Sequence, residues 1–86
     1  MVLYGKIIKG MKIIDEAYAE NNIDESSFRD ALEKCLVDVC KKLDIPTPIW
    51  LKKNTVELAG YRKTFFTAEQ FVEKVKFDKF IIEVKM

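Results

Sequence analysis

The most regular hydrophobic pattern in the chain occupies residues 27–43, SFRDALEKCLVDVCKKL. Its apolar side chains fall within roughly 140° of arc at about 100° per residue, as on the buried face of a helix. Ser27 is a suitable N-cap, and Pro46 prevents the helix from continuing. The pattern predicts one long amphipathic helix. The residues expected to face the core are Phe28, Ala31, Leu32, Cys35, Leu36, Val39 and Leu43.

The N-terminal part of the chain has the pattern of a β-hairpin. Residues 1–10 are rich in side chains that favour strands, and Lys9-Gly10 predicts a turn because glycine readily adopts a positive φ. Residues 11–20 fit either a helix or a strand. We favour a second strand, since no side chain caps a helix that starts at Met11 and a strand would pair with the first.

The C-terminal segment, FDKFIIEVKM, alternates between apolar and mixed positions. Phe80, Ile82, Val84 and Met86 point to one side of an extended chain, which predicts a third strand with one buried face.

The region between the long helix and this strand has no continuous period. Pro46 and Pro48 predict an extended connection. Asn54 or Thr55 can then cap a short helix, and Gly60 stands where a left-handed C-terminal cap is expected.

A capping-box signature, Thr67 followed by Gln70, predicts another short helix that contains Phe71 and Val72. The elements together predict a single α+β domain over residues 1–86. In it, a small antiparallel sheet, made of the N-terminal hairpin and the C-terminal strand, is covered by the long helix.

Composition narrows the class of protein. The chain has 86 residues and is 49% hydrophobic, which predicts one folded domain rather than a disordered tail. No apolar run approaches the roughly 20 residues of a membrane helix. The first ten residues contain two lysines and no cleavage site typical of a secretory signal, so we expect a cytoplasmic protein that does not contact a membrane.

The net charge of +1 hides a segregation along the chain. Residues 15–38 carry eight acidic and two basic side chains, whereas residues 39–63 carry six basic and two acidic ones. Such asymmetry indicates a nucleic-acid-binding face, attraction between subunits, or a solvated surface.

The inventory of reactive side chains argues against an enzyme. The chain has no histidine, its serines are Ser26 and Ser27, and three glycines do not make a phosphate-binding loop. Cys35 and Cys40 lie away from the N-terminus of the helix, where a thiolate would be stabilised, and their spacing is not that of a zinc site. We therefore expect no catalytic site, no cofactor and no metal.

A small second apolar patch on the long helix joins Val37 and Cys40. Either another segment of the same chain covers it, or it is a contact between subunits.

The most suggestive stretch is residues 50–66, WLKKNTVELAGYRKTFF, where basic and aromatic side chains are interleaved. Lysines neutralise phosphates and exposed aromatic rings stack on bases, so single-stranded nucleic acid is one candidate ligand. The alternative is that the aromatic rings belong to the core. The candidate contacts for nucleic acid or a protein partner are Trp50, Lys52, Lys53, Tyr61, Arg62 and Lys63.

The segments LYGKIIKG, PTPIWLKKN and TFFTAEQFVEKVKFDKFIIEV resemble a family of small bacterial proteins, mostly from Gram-positive anaerobes, for which no activity is known. The resemblance spans nearly the whole chain and implies a bacterial cytoplasmic protein without assigning a site. The chain departs from that family at residues 15–20, which are less strand-like. The matching positions are Tyr4, Gly5, Pro46, Pro48, Trp50, Leu51, Asn54, Glu57, Thr64, Phe66, Phe71, Phe77 and Asp78.

The sequence thus favours a small non-enzymatic interaction module that forms a homodimer or binds another protein. A small core and exposed sheet edges both favour pairing between copies. The alternative is binding of single-stranded RNA through residues 50–66.

Overall fold

A computed structural model describes residues 1–21 and 27–85. These residues form a four-stranded antiparallel sheet with strand order β2-β1-β4-β3 and two α-helices. Met86, which was expected to extend the last strand, lies outside the described residues. The elements in chain order are β1 (Val2–Lys9), β2 (Lys12–Glu20), α1 (Phe28–Leu43), α2 (Lys52–Tyr61), β3 (Lys63–Thr67), a 3₁₀ turn (Ala68–Gln70) and β4 (Lys79–Lys85).

The α+β class and an antiparallel sheet that contains the N-terminal hairpin and the C-terminal strand are confirmed. The prediction that one long helix covers the sheet is only partly right, because α1 packs mainly on β1 and β2, and α2 packs on β3. β3 is not predicted from the sequence, so the sheet has one more strand than the three expected. β3 is only five residues long, but it alternates as a strand should, with Thr64 and Phe66 buried and Lys63 exposed. It pairs along β4, from Lys63 opposite Glu83 to Thr67 opposite Lys79.

The two short helices differ from the prediction in their ends. α2 begins at Lys52 rather than after Asn54, and it continues through Gly60. Its C-cap is Arg62, which takes the left-handed conformation (φ 56°) expected of Gly60. The capping interaction at Thr67 is present, since its N–H donates to Gln70 Oε1 at 3.2 Å. The turn that follows ends at Gln70, so the expected helix through residues 71 and 72 is wrong.

α1 begins and ends where local signals place it. Ser27 Oγ accepts a hydrogen bond from the N–H of Asp30 at 3.1 Å, which is the predicted N-cap. At the other end Asp44 adopts a left-handed conformation (φ 56°), and its N–H donates to the carbonyls of Cys40 and Lys41. Phe28 is an exception on the predicted buried face, because it lies in the first turn and is 42% exposed.

The turn between β1 and β2 has two residues with positive φ, Gly10 (57°) and Met11 (66°), as in a type I′ hairpin. Asp78 holds this turn from the chain before β4. Its Oδ2 accepts from the N–H of Gly10 at 2.8 Å, and its own N–H donates to the carbonyl of Ile8 at 2.9 Å.

The inner face of the hairpin is lined by small residues, which lets α1 approach closely. Ala17 and Ala19 of β2 stand opposite Gly5 and Leu3 of β1. A Cβ atom on Gly5 would lie 2.6 Å from Cγ1 of Val39 in α1. The alanines that make residues 15–20 look unlike a strand are therefore the positions beneath the helix.

The other half of the inner face, on β4 and β3, is covered by aromatic side chains. Phe80 stacks on Phe66 with ring centroids 5.7 Å apart, and Phe71 and Phe77 form an edge-to-face pair in the same core cluster. All the buried apolar side chains of the sheet lie on this inner face, so the core is one layer between the sheet and its covering segments.

Candidate interaction surfaces

A buried polar network joins α2 to β3. The Asn54 side chain, fully buried, donates through Nδ2 to Thr64 Oγ1 at 2.8 Å and to the carbonyl of Phe65 at 3.0 Å. Its Oδ1 accepts from the N–H of Leu51 at 2.9 Å and from Gln70 Nε2 at 3.0 Å. All four hydrogen-bonding positions of the amide are therefore occupied by protein groups.

The network reaches further through Thr64 and Gln70. The hydroxyl of Thr64 donates to Glu57 Oε1 at 2.6 Å, and Gln70 Nε2 also donates to the carbonyl of Ile49 at 3.1 Å. Among the described residues, no buried side-chain nitrogen or oxygen lacks a partner. The network holds α2 and the chain before it on the sheet. Sequence reasoning missed it, because it gave Asn54 only the role of a helix cap.

Trp50 belongs to the core side of the molecule. Its ring lies 5.6 Å from that of Phe66, centroid to centroid, and its Nε1 donates to Thr55 Oγ1 at 2.7 Å. The side chain is half-buried and packs against the core cluster. It acts as a brace between α2 and the sheet rather than as a free stacking platform.

The basic residues of the suggestive stretch do not share one surface. Lys52 lies in the first turn of α2 and Tyr61 at its last residue, which places them about 14 Å apart along the helix. Tyr61 is 79% exposed, and Arg62 and Lys63 follow it into the start of β3.

The side chain of Lys53 reaches from α2 to the face of the sheet opposite to the core. Its Nζ lies 4.3 Å from the ring centroid of Phe65, and the Nζ of Lys79 lies 4.8 Å from the same centroid. Both distances are within the range of cation–π attraction. The ring of Phe65 is thus already in contact with two ammonium groups.

Within the described residues, one face of the sheet carries no buried side chain. Strand side chains alternate between two faces, and those opposite to the core are all exposed or half-buried. We call this surface the open face. Its residues are Val2, Tyr4, Lys6, Ile8, Ile13, Glu16, Tyr18, Glu20, Lys63, Phe65, Thr67, Lys79, Ile81, Glu83 and Lys85.

The strand register arranges the centre of the open face in rows. Tyr18, Tyr4, Glu83 and Lys63 form one row across the four strands. The rings of Tyr4 and Tyr18 lie 5.8 Å apart, centroid to centroid. They line a shallow depression of about 440 Å³ between β1 and β2.

The next row runs Glu16, Lys6, Ile81 and Phe65. Between these two rows, each strand therefore changes from an apolar or aromatic side chain to a charged one or the reverse. The ammonium group of Lys53 lies above Phe65 at the end of the second row. A surface of this kind presents both contact area and charge to a partner.

Charge on the open face is graded from one side to the other. Glu16 and Glu20 lie on β2, and we call them the acidic edge. Lys63 on β3 and Lys53 beside Phe65 lie at the opposite side, and we call them the basic edge.

The lateral edges of the sheet are partly occupied. At the β2 side, Lys42 of α1 donates from Nζ to the carbonyl of Tyr18 at 2.7 Å and pairs with Asp38 at 3.4 Å. β2 also contains a bulge, because its register with β1 shifts between Ile7 and Ile8. At the β3 side, Asn54 Nδ2 donates a hydrogen bond to the carbonyl of Phe65. Lysines and bulges on edge strands discourage pairing with another chain.

The two residues of the apolar patch predicted on α1, Val37 and Cys40, differ in exposure. Cys40 is 2% exposed within the single chain, and Val37 is half-buried on the outward side beside Glu33 and Lys34. For Cys40 the structure supports the first alternative, that its own chain covers it. A subunit contact at Val37 stays a prediction.

Both cysteines are free and buried. Burial raises the pKa of the Cys40 thiol to about 11, against the opposing effect of a hydrogen bond with the Thr47 side chain. Burial also raises the pKa of Cys35. Both therefore stay protonated at neutral pH and behave as packing groups.

In residues 1–21 and 27–85, no three cysteine or carboxylate side chains come together as a metal site. No helix in the described part of the chain is both long and apolar enough to cross a membrane.

Comparison with protein-family models, with curated proteins and with solved structures finds no match for this chain. The proposals below therefore rest on the geometry of the surfaces.

Proposed function

We propose that this protein is a small non-enzymatic interaction module that acts as a homodimer, with the open face as its contact surface. One observation carries the proposal. The chain forms a sheet large enough for a two-sided core but buries side chains on only one face, and the other displays Tyr4, Tyr18, Phe65 and Ile81 between charged groups.

The size of the open face is sufficient for a specific contact. Three strands of about seven residues and one of five, about 4.8 Å apart, project an area of roughly 400 Å². The accessible surface of the side chains exceeds this projection, so two facing copies would bury about 1,000 Å² or more in total, the lower limit for a specific interface. Sheets pack face to face in this way about 10 Å apart.

The face is a better contact than the lateral edges. Lys42 and the bulge protect the β2 edge, and α2 lies against the β3 edge. Association through the open face requires none of these contacts to break.

Light scattering coupled to size-exclusion chromatography tests the proposal. We expect a mass of twice the 10.0 kDa chain for the native protein. Tyr4→Ser, which removes a ring from the centre of the face, should shift the protein towards the monomer. Val72→Ser is the matched control, because Val72 is 87% exposed outside the open face. A monomer at every concentration would refute the proposal.

A second candidate function is binding of single-stranded RNA, and the exposure of Tyr61 beside Arg62 and Lys63 supports it. Because released counterions dominate such binding, Arg62→Ala with Lys63→Ala should lower affinity and reduce its salt dependence. Filter binding to an RNA oligonucleotide at two salt concentrations measures both effects. Binding that is absent at low salt would end this candidate.

We also propose a cytoplasmic location. It is supported by the two free, buried thiols, which suit a compartment that keeps cysteines reduced. Membership of the small bacterial family named above stays a prediction.

A further inference from the structure

We propose that the second copy docks about a two-fold axis that runs parallel to the strands, so that β2 of one protomer lies over β3 of its partner. This inference rests on the proposed function and gives the dimer a defined orientation and defined charge contacts. It is carried by the register of the sheet together with the gradient of charge across the open face.

Any two-fold axis in the plane of the interface brings the open faces of two copies together, and two directions of the axis keep the strands of the copies aligned, as in most face-to-face sheet packings. An axis in the plane of the interface and parallel to the strands reverses the strand order, so that β2 faces the partner's β3 and β1 faces the partner's β4. An axis perpendicular to the strands keeps the order, so that β2 faces the partner's β2. A symmetric dimer places the same patch on both sides, and the contents of the patch decide between the two axes.

The charges favour the parallel axis. It places Glu16 of the acidic edge over the partner's Lys53, and it brings Glu20 one row away from the partner's Lys63. The perpendicular axis places Glu16 and Glu20 over the same two carboxylates of the partner. Opposed like charges disfavour one docking, and complementary charges select the other.

The rows of the sheet make the contacts specific. A rotation about the strand direction keeps each residue at its own height along the strands. The row that begins with Glu16 and ends with Phe65 therefore lies over the same row reversed. Glu16 meets the partner's Lys53 above Phe65, and Ile81 meets the aliphatic part of the partner's Lys6.

The neighbouring row is complementary in the same way. Tyr18 lies over the partner's Lys63, an arrangement for a cation–π contact, and Tyr4 lies over the partner's Glu83, within reach of a hydrogen bond from its hydroxyl. Every contact occurs twice in the dimer because of the symmetry.

The test is an exchange of charges between two variants, Glu16→Lys and Lys53→Glu. In each variant alone, the proposed contact becomes a pair of like charges, twice in every dimer. We expect the dimer Kd measured by sedimentation equilibrium to rise about tenfold or more for each variant. Glu16→Gln, which removes the charge without reversing it, should have a smaller effect in the same direction. Circular dichroism confirms that the variants are folded.

An equimolar mixture of the two variants distinguishes loss of the proposed charge contacts from a general disruption of the interface. In the mixed dimer both contacts pair a lysine with a glutamate again, so we expect the Kd to return to within about threefold of the native value. Native mass spectrometry should show the mixed species in excess over the two homodimers.

Other outcomes overturn the inference. A native dimer whose Kd is insensitive to both Lys53→Glu and Glu16→Lys would refute this orientation, and a Kd that Glu16→Lys lowers would indicate β2 against β2; in both cases the proposed function would stand without the inference. A native protein that is monomeric at all concentrations would refute the proposed function and this inference together. RNA binding that Lys53→Glu abolishes in such a monomer would assign the basic edge to nucleic acid.

Discussion

Gly5 is the position where one added methyl group should test the packing of the whole domain. In Gly5→Ala, the new Cβ would lie 2.6 Å from Val39 Cγ1 and 2.8 Å from Phe80 Cε1. Carbon atoms in contact normally lie about 3.5–4.0 Å apart, so α1 or the Phe80 ring must move by about 1 Å. Both neighbours are fully buried and have little free space.

The expected magnitude follows from two opposing effects. Overpacking a core costs about 1–3 kcal/mol. Replacing a strand glycine by alanine recovers about 0.5–1 kcal/mol of backbone conformational entropy. We therefore expect Gly5→Ala to lower the free energy of unfolding by about 1–2 kcal/mol.

Urea denaturation followed by Trp50 fluorescence measures this change. Gly60→Ala is the matched control, because Gly60 lies inside α2 with open space around its Cβ position. It should raise the free energy of unfolding by about 0.5–1 kcal/mol. In a double-mutant cycle, Val39→Ala should relieve part of the clash, so that the combined loss is smaller than the sum by about 1 kcal/mol. Stabilisation by Gly5→Ala equal to that of Gly60→Ala would refute the reasoning.

Three further predictions concern stability. Asn54→Ala should lower the free energy of unfolding by about 3 kcal/mol, because one N–H of the buried Gln70 amide and two main-chain groups lose their hydrogen-bond partner; a loss below about 1 kcal/mol in urea denaturation would contradict the network. Met11→Gly should raise the melting temperature, because Met11 is 97% exposed with φ 66° and a left-handed residue other than glycine costs about 1–2 kcal/mol; an unchanged or lower value would count against the type I′ turn. Since burial raises the pKa of Cys40 from 9.0 to about 11, the unfolded thiol ionises first, and the contribution of Cys40 to stability should be constant below pH 9 and fall between pH 9 and pH 11; Cys40→Ala should reduce the loss of stability in this range, and a slope that it leaves unchanged would assign the effect to other groups.

The elements that the sequence predicted well are those whose signals are local. α1 has a continuous apolar stripe, a serine cap that binds the N–H of Asp30, and a last turn before Pro46. β4 alternates strictly, with Phe80, Ile82 and Val84 buried. Neighbouring residues determine both patterns, so both can be read from a short window of sequence.

The errors fall where distant residues decide the structure. β3 is short, and it becomes a strand because β4 offers a partner with Glu83 opposite Lys63. α2 ends at Tyr61 and has Arg62 rather than Gly60 as its C-cap, and Asn54 is not the N-cap but a buried residue whose side chain joins the helix to β3. Local propensity is a weak signal when tertiary contacts compensate for it.

The candidate site was predictable in part. The basic and aromatic residues of the stretch 50–66 are predicted as candidate contacts, but the fold places them on different parts of the molecule. Trp50 packs on the core side, Tyr61 is exposed at the end of α2, and Lys53 reaches the open face. The open face itself was not visible in the sequence, because its rows combine residues from four strands far apart in the chain.

The sequence by itself determined the class of the domain, the long helix, the alternation of the last strand and the absence of histidine. These depend on composition and on interactions between residues a few positions apart. Only the tertiary structure decided the pairing of β3 with β4, the close packing of Val39 on Gly5, and the gradient of charge from Glu16 to Lys63 across the open face. The physical reason is that strand register and helix packing are set by contacts between distant segments, which no local period records.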